Sequence, residues 1–203
     1  MKNQKLWITS IITLVIALVW LAFFWQPSTP STTAQSPAQI SATPAGGDFT
    51  LSSPAGQVSL ANYRGKVVLI YFGYTFCPDV CPTSLANLAQ ALATLTPSEL
   101  DKVQGLFISV DPERDTMDVL KVYAPYFHPR ILGLSGSPAQ VAEVAKLYGA
   151  RYMKQKPNAD GLYSVDHSSF TYVIAPDGKL TANLIHGSQP QQIVDMIRKL
   201  LNK

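Results

Sequence analysis

Val67 to Gly73 reads VVLIYFG, seven residues whose one polar group is the Tyr71 hydroxyl. Unbroken apolar runs rich in β-branched and aromatic residues belong to strands covered on both faces, as in parallel or mixed sheets flanked by helices. After three intervening residues the chain reaches Cys77, and Cys81 follows at the start of a helical pattern, in YFGYTFCPDVCP. The chain has 2 cysteines, too few for a disulfide framework. A strand, a short loop, a cysteine pair and a helix, in that order, form the layout of a thioredoxin-like site. The free N–H groups and positive dipole end of such a helix favour thiolate, the form that attacks disulfides and binds metals.

The rest of the domain alternates accordingly. Leu106–Val110, Ile131–Leu134 and Phe170–Ala175 read as further strands. The turn Pro176-Asp177-Gly178 leads into a hairpin partner over Lys179–Leu184. Phe49–Leu60 adds a small hairpin in front, and Arg151–Lys154 a short strand before a polar loop with Pro157, Asn158 and Gly161. Helical spacing links Leu85, Leu88, Ala89, Leu92 and Leu95, and a second helix carries Met117, Leu120 and Tyr123 behind Asp115 as its N-cap. Ser137-Pro138 opens a third helix that stops at Gly149, and Gln189–Leu201 supplies a fourth. These elements predict an α/β domain over residues 48–203, a thioredoxin-like fold whose mixed β-sheet is flanked by helices.

The first 47 residues have a different composition. No Asp, Glu, Lys or Arg lies between Lys5 and Asp48, although 14% of the whole chain is charged. Leu6–Trp25 is a run of 20 residues, polar only at Thr9, Ser10 and Thr13. As a helix it reaches about 30 Å, the thickness of a bilayer's hydrocarbon core. Lys2 and Lys5 hold residues 1–5 on the cytoplasmic side, and Trp20 and Trp25 suit the interface. The expectation is an N-terminal transmembrane helix over 6–25. A cleaved signal peptide is the rival, but its apolar region is shorter, and Gln26-Pro27 stands where small residues would precede cleavage. Residues 26–47, rich in Pro, Ser and Thr, read as a flexible linker. With no targeting sequence ahead of the anchor, the expected location is a bacterial inner membrane, single-pass, with the domain on the periplasmic or extracytoplasmic side. A net charge of +3, falling to +1 without Lys2 and Lys5, excludes the footprint of a nucleic-acid binder.

The spacing Cys-x-x-x-Cys differs from a redox Cys-x-x-Cys. On a helix, residues i and i+4 share a face, so both sulfurs point into one pocket suited to chelation, while a disulfide stays open to them. Two soft sulfurs favour Cu(I), then zinc. Inert buried thiols are the bland alternative. His167, in VDHSSF before the strand at Phe170, occupies the loop that faces the cysteine pair in thioredoxin-like folds. With two thiolates its imidazole completes a Cu(I) site, and a weak extra oxygen adapts it to Cu(II). Asp166 is placed to orient the ring or supply that oxygen. From spacing alone His167 also reads as a surface residue. His128 fits a turn, and His186 a loop. The carboxylates of Asp111-Pro112-Glu113-Arg114-Asp115 are explained by a strand-end turn and helix capping, and Met153 and Met196 by core periodicity.

In order, YFGYTFCPDVCPTSL, SVDPERDT, FHPRILGLSG and VDHSSFTYVIAPDG resemble the consecutive motifs of the Sco/SenC family across almost the whole domain. The resemblance implies an extracytoplasmic copper-binding protein, with Cys77, Cys81 and His167 as metal ligands. It also implies service in assembling the copper centre of cytochrome c oxidase, so the expected partners are the copper-bearing oxidase subunit and a thiol reductant or copper donor. Two functions compete. One is a copper chaperone, a metallochaperone more than an enzyme. The other is a thiol–disulfide oxidoreductase whose catalytic pair is Cys77 and Cys81. A peroxidase is a third, disfavoured because Thr75 is near Cys77 but no arginine is near in sequence.

Overall fold

The computed structural model describes Trp20 and residues 44–202. The chain divides into a unit ending at Ser41 and a unit beginning at Ala42. Trp20, helical and exposed, is the described residue of the first. The expected anchor over 6–25, Trp20 apart, and the expected linker before residue 44 lie outside the described residues. Among the described residues no helix is long and apolar enough to cross a membrane.

In the second unit, strands β1 (Thr50–Ser53) and β2 (Gly56–Ser59) form the front hairpin. Next comes β3 (Val67–Gly73), buried at all seven positions as its composition requires. Helix α1 (Val80–Thr94) and a short α2 (Pro97–Leu100) carry the chain over to β4 (Val103–Ser109). Helix α3 (Met117–Phe127) then leads to β5 (Ile131–Leu134). Helix α4 (Pro138–Tyr148) precedes a two-stranded ribbon of β6 (Tyr152–Lys154) and β7 (Val165–His167). The chain closes with β8 (Thr171–Ile174), β9 (Leu180–Leu184) and α5 (Pro190–Leu201).

The central sheet runs β5-β4-β3-β8-β9. Helical crossovers make β3, β4 and β5 parallel, and the turn at 176–178 makes β8 and β9 antiparallel. The result is the expected mixed sheet flanked by helices. Local chemistry sets the element ends. Ser137 caps α4 by accepting from the Gln140 amide, and Gly149 ends it at φ +66°, a conformation glycine adopts without a Cβ penalty. On α5, Ile193, Val194, Ile197 and Leu200 form the buried stripe, each contributing at most about 1.5–3 kcal/mol. Phe72, Tyr148 and Tyr172 pack ring against ring in the core.

Three readings change. β4 starts at Val103, three residues before the expected Leu106, because Gln104 and Gly105 interrupt the apolar run while still pairing with β3. Thr116, and not Asp115, caps α3, through its hydroxyl and the Val119 amide. Met153 is no core residue: it stands 60% exposed on β6.

Gly73 pairs in register with Ser109, and the Val110 amide donates to the Gly73 carbonyl at 2.8 Å. The carboxyl ends of β3 and β4 are therefore level. The loop with Cys77 and the turn of Asp111–Asp115 leave the sheet side by side.

Candidate metal centre

Cys77 precedes the helix, in a tight turn where its amide donates to the Tyr74 carbonyl at 3.3 Å. Helix α1 begins only at Val80, so the i, i+4 argument for a shared face does not describe the pair. A turn brings Cys77 over Cys81 instead. The two sulfurs and a ring nitrogen of His167 lie within 4.8 Å of one another. Donors bound at about 2.0–2.3 Å to one ion stand at most about 4.6 Å apart, so a shift of a few tenths of an ångström closes the set around a metal.

His167 comes from a strand and not from a loop. VDH is too short to show a strand period, and its pairing with β6, Tyr152 opposite His167, is not local. Nδ1 of the ring lies 3.1 Å from the Ser168 carbonyl oxygen. A carbonyl only accepts, so Nδ1 carries the proton and Nε2 keeps its lone pair. That Nε2 is 3.2 Å from Cys81 Sγ. Burial lowers the pKa of His167, which keeps the ring neutral and ready to ligate. The rings of Tyr71 and Tyr74 meet the imidazole edge-on at 6.0 and 5.8 Å. Asp166, the residue expected to orient the ring, points to the other face of β7 and accepts from Gln155 Nε2 at 2.6 Å. The backbone of Ser168 does that work.

Cys81 is 0% exposed and Cys77 8%. Burial pushes the Cys81 thiol up, and the nearby Cys77 adds to this, outweighing the hydrogen bond from the Tyr74 amide. The expected thiolate at Cys81 is therefore not favoured in the empty site. The proton leaves when a cation or an oxidant takes its place.

His128 ends α3, where its Nδ1 accepts from the Arg130 amide, the turn role its sequence indicated. His186 lies in the loop after β9, and its Nδ1 faces Ser84 Oγ at 3.0 Å. Neither histidine joins the cysteine cluster. Arg114, distant in sequence, packs over the rings of Tyr74 and Phe76 beside Cys77. Thr75 turns its hydroxyl to Asp115 and not to Cys77. Sequence reasoning missed both contacts. The three carboxylates of DPERD were the signal, and capping accounted for them too readily.

A thioredoxin-like α/β sandwich with two thiols and a neutral imidazole gathered at its cysteine elbow defines a soft-metal or thiol-redox domain. The family model described as SCO1/SenC matches residues 37–202, and the chain belongs to that family. It is 38% identical over 199 residues to the mitochondrial SCO2 homolog of Bos taurus, covering 97% of this chain and 75% of that protein. Copper-bound ScoI of Bradyrhizobium japonicum superposes with a TM-score of 0.70 at 39% identity, over 77% of this chain and 99% of that one. BsSco, described as having a disulfide switch and as a member of the Sco family of cytochrome c oxidase assembly proteins, gives 0.63 at 27% identity, over 79% and 95%.

Proposed function

We propose that this chain is a membrane-anchored, extracytoplasmic copper chaperone that binds copper through Cys77, Cys81 and His167. It passes the ion to the copper-bearing subunit of a cytochrome oxidase. The observation that carries this reading is the convergence of two sulfurs and an unprotonated Nε2 within 4.8 Å. Copper on a relative of 39% identity supports it, as does the preference of two soft sulfurs for Cu(I).

Copper enters as cargo. Cys81 gives up its proton to become a thiolate ligand, His167 offers a lone pair without losing a proton, and Cys77 closes the set. Cys77 is the more exposed thiol, so it is the ligand an acceptor displaces first in transfer. Both thiols are free, and holding them so outside the cytoplasm calls for a reductant. The apolar run 6–25 supports the single-pass anchor and the inner-membrane location.

Titration of the full chain with Cu(I) and Cu(II), followed by absorption and EPR, tests the reading. The expected outcome is one copper per chain, with the spectrum changed and the affinity lowered in His167→Ala and lost in Cys77→Ser/Cys81→Ser. Unchanged spectrum and affinity in His167→Ala would overturn the ligand set.

The adjacency of two free thiols also supports a second reading, a thiol–disulfide oxidoreductase. Cys77 thiolate attacks a partner disulfide and releases one partner thiolate. Cys81 thiolate then displaces the second, leaving a Cys77–Cys81 disulfide and a reduced partner, with two electrons transferred. A mixed disulfide trapped on Cys77 in Cys81→Ser favours this reading.

A further inference from the structure

The three donors of the site come from two pieces of chain, the β3–α1 elbow and the β6–β7 ribbon. One short turn touches both. It is the Asp111–Asp115 segment between β4 and α3, whose residues neither cap a helix nor ligate in the reading above.

Its first arm is Asp115, 1% exposed. One carboxylate oxygen accepts from the Thr75 amide at 3.0 Å and from Ser109 Oγ at 2.6 Å, and the other accepts from Thr75 Oγ1 at 2.6 Å. Thr75 lies two residues before Cys77. The second arm is Asp111 with Arg114. Asp111, 3% exposed, accepts from Arg114 Nε at 2.5 Å and from the Tyr163 hydroxyl at 2.9 Å. Arg114 Nη1 donates to the Tyr163 carbonyl at 2.9 Å. Tyr163 stands two residues before β7, which ends at His167. The guanidinium lies 3.6 Å from the centre of the Tyr163 ring, 4.9 Å from that of Phe76 and 5.5 Å from that of Tyr74. Its Nη2 is buried with no hydrogen-bond acceptor among the described residues, and aromatic faces are what the guanidinium meets. Arg114 thus grips the cysteine elbow and the histidine ribbon together.

Two carboxylates are costly to bury unless hydrogen bonds satisfy them. Here every side-chain bond to Asp115 from outside the sheet runs to the elbow, and the Asp111–Arg114 pair runs to the ribbon. We propose that this turn is a brace that fixes the spacing between Cys77 and Cys81 on one side and His167 on the other. Asp115 and Arg114 are its positioning residues. The inference rests on the copper-ligand reading above. Groups that orient ligands typically shift metal affinity by about 10–100-fold when removed.

The test uses the full chain with Asp115→Asn, Arg114→Lys and the milder Tyr163→Phe, which removes one hydroxyl. Leu200→Ala on α5 is a comparator that destabilises the core away from the brace. Three readouts are taken beside the melting temperature: copper affinity with the Cu(II) spectrum, the alkylation rate of Cys77 in the copper-free protein, and amide exchange over residues 165–168. Asp115→Asn is expected to weaken copper binding about tenfold or more and to speed Cys77 alkylation. Arg114→Lys is expected to do the same for copper and to speed exchange in β7. Tyr163→Phe should follow it more weakly, and Leu200→Ala should move none of the three. In a His167→Ala background, Arg114→Lys should cost much less affinity than it does in the wild type, while Asp115→Asn keeps its cost. Variants that only lower the melting temperature, as Leu200→Ala does, would overturn the brace, as would an Arg114→Lys cost undiminished without His167. A wild type that binds no copper overturns the ligand reading, and the two copper-free readouts then decide the brace alone.

Discussion

A Cβ on Gly73 would stand 2.7 Å from the Sγ of Cys81 and 3.0 Å from the ring of Phe107. Gly73 has no positive φ, so space and not backbone freedom calls for glycine at the end of β3. The missing side chain is the socket in which the Cys81 sulfur sits. Gly73→Ala is expected to cost about 1–3 kcal/mol of stability, as overpacking does. It should also displace the sulfur and weaken copper binding at least tenfold, on the order of other changes that disturb ligand position. Urea denaturation and competition with a Cu(I) chelator check this. Wild-type affinity in Gly73→Ala would mean that the sulfur has room to spare.

Copper uptake should be strongly coupled to protons. The Cys81 thiol is pushed up by burial, so it is protonated in the empty site across the neutral range. His167 is pushed down, so it adds no proton there. Apparent affinity should therefore rise with pH between 6 and 8, by about one decade per unit for each thiol proton displaced. Chelator competition across that range measures the slope. Cys81→Ser should flatten it, and a slope of zero in the wild type would contradict the assignment.

Much of the architecture was legible because it is written in local chemistry. Val67–Gly73 is a buried strand for the reason its composition gives, and Ser137 and Gly149 bound α4 as a cap and a stop should. The elbow and its two cysteines were equally plain. What escaped was non-local. β7 is three residues long and exists by pairing with β6. Its histidine was pointed to by the family resemblance more than by any period. Asp115 reads as a cap in sequence, one place before Thr116, and only the level ends of β3 and β4 put its carboxylate against Thr75. The expected thiolate followed from the helix end alone, because burial cannot be weighed before the sheet is built.

The two thiols should differ sharply in reactivity. Cys77 is the more exposed, while Cys81 is fully buried and its thiol pushed up. Thiolate is the reactive form. In the copper-free, reduced chain at pH 7.5, iodoacetamide should modify Cys77 at least about tenfold faster than Cys81, because Cys81 is buried and its thiol is pushed up. One equivalent of Cu(I) should protect both. Peptide mapping by mass spectrometry reads the ratio, and equal rates would contradict the burial of Cys81.

The stability of the copper-free chain should pass through a plateau bounded by groups of opposite sign. Burial is the main cause that lowers both His167 and His128 from 6.5. As pH falls below 6.5 the unfolded chain takes up these protons first, so stability is present above that pH and is lost as pH falls toward the folded values. Asp115 acts in the opposite sense from lower pH: burial raises it from 3.8, so its contribution is present below 3.8 and is lost as pH rises through its folded value. At the alkaline end Cys81 is raised from 9.0, and Tyr148 from 10.0 to about 12. There the unfolded chain loses protons first, and stability declines as pH climbs past 9. Denaturant midpoints of the reduced, copper-free chain should therefore be higher at pH 7.5 than at 5.5 or 10. His128→Asn should shrink the acid-side loss, because Nδ1 of His128 accepts from the Arg130 amide and cannot do so when protonated. Asp115→Asn removes the group of opposite sense and is the background in which the histidine loss stands alone. Midpoints that stay level from pH 5.5 to 7.5 in both the wild type and Asp115→Asn would sink the histidine assignment.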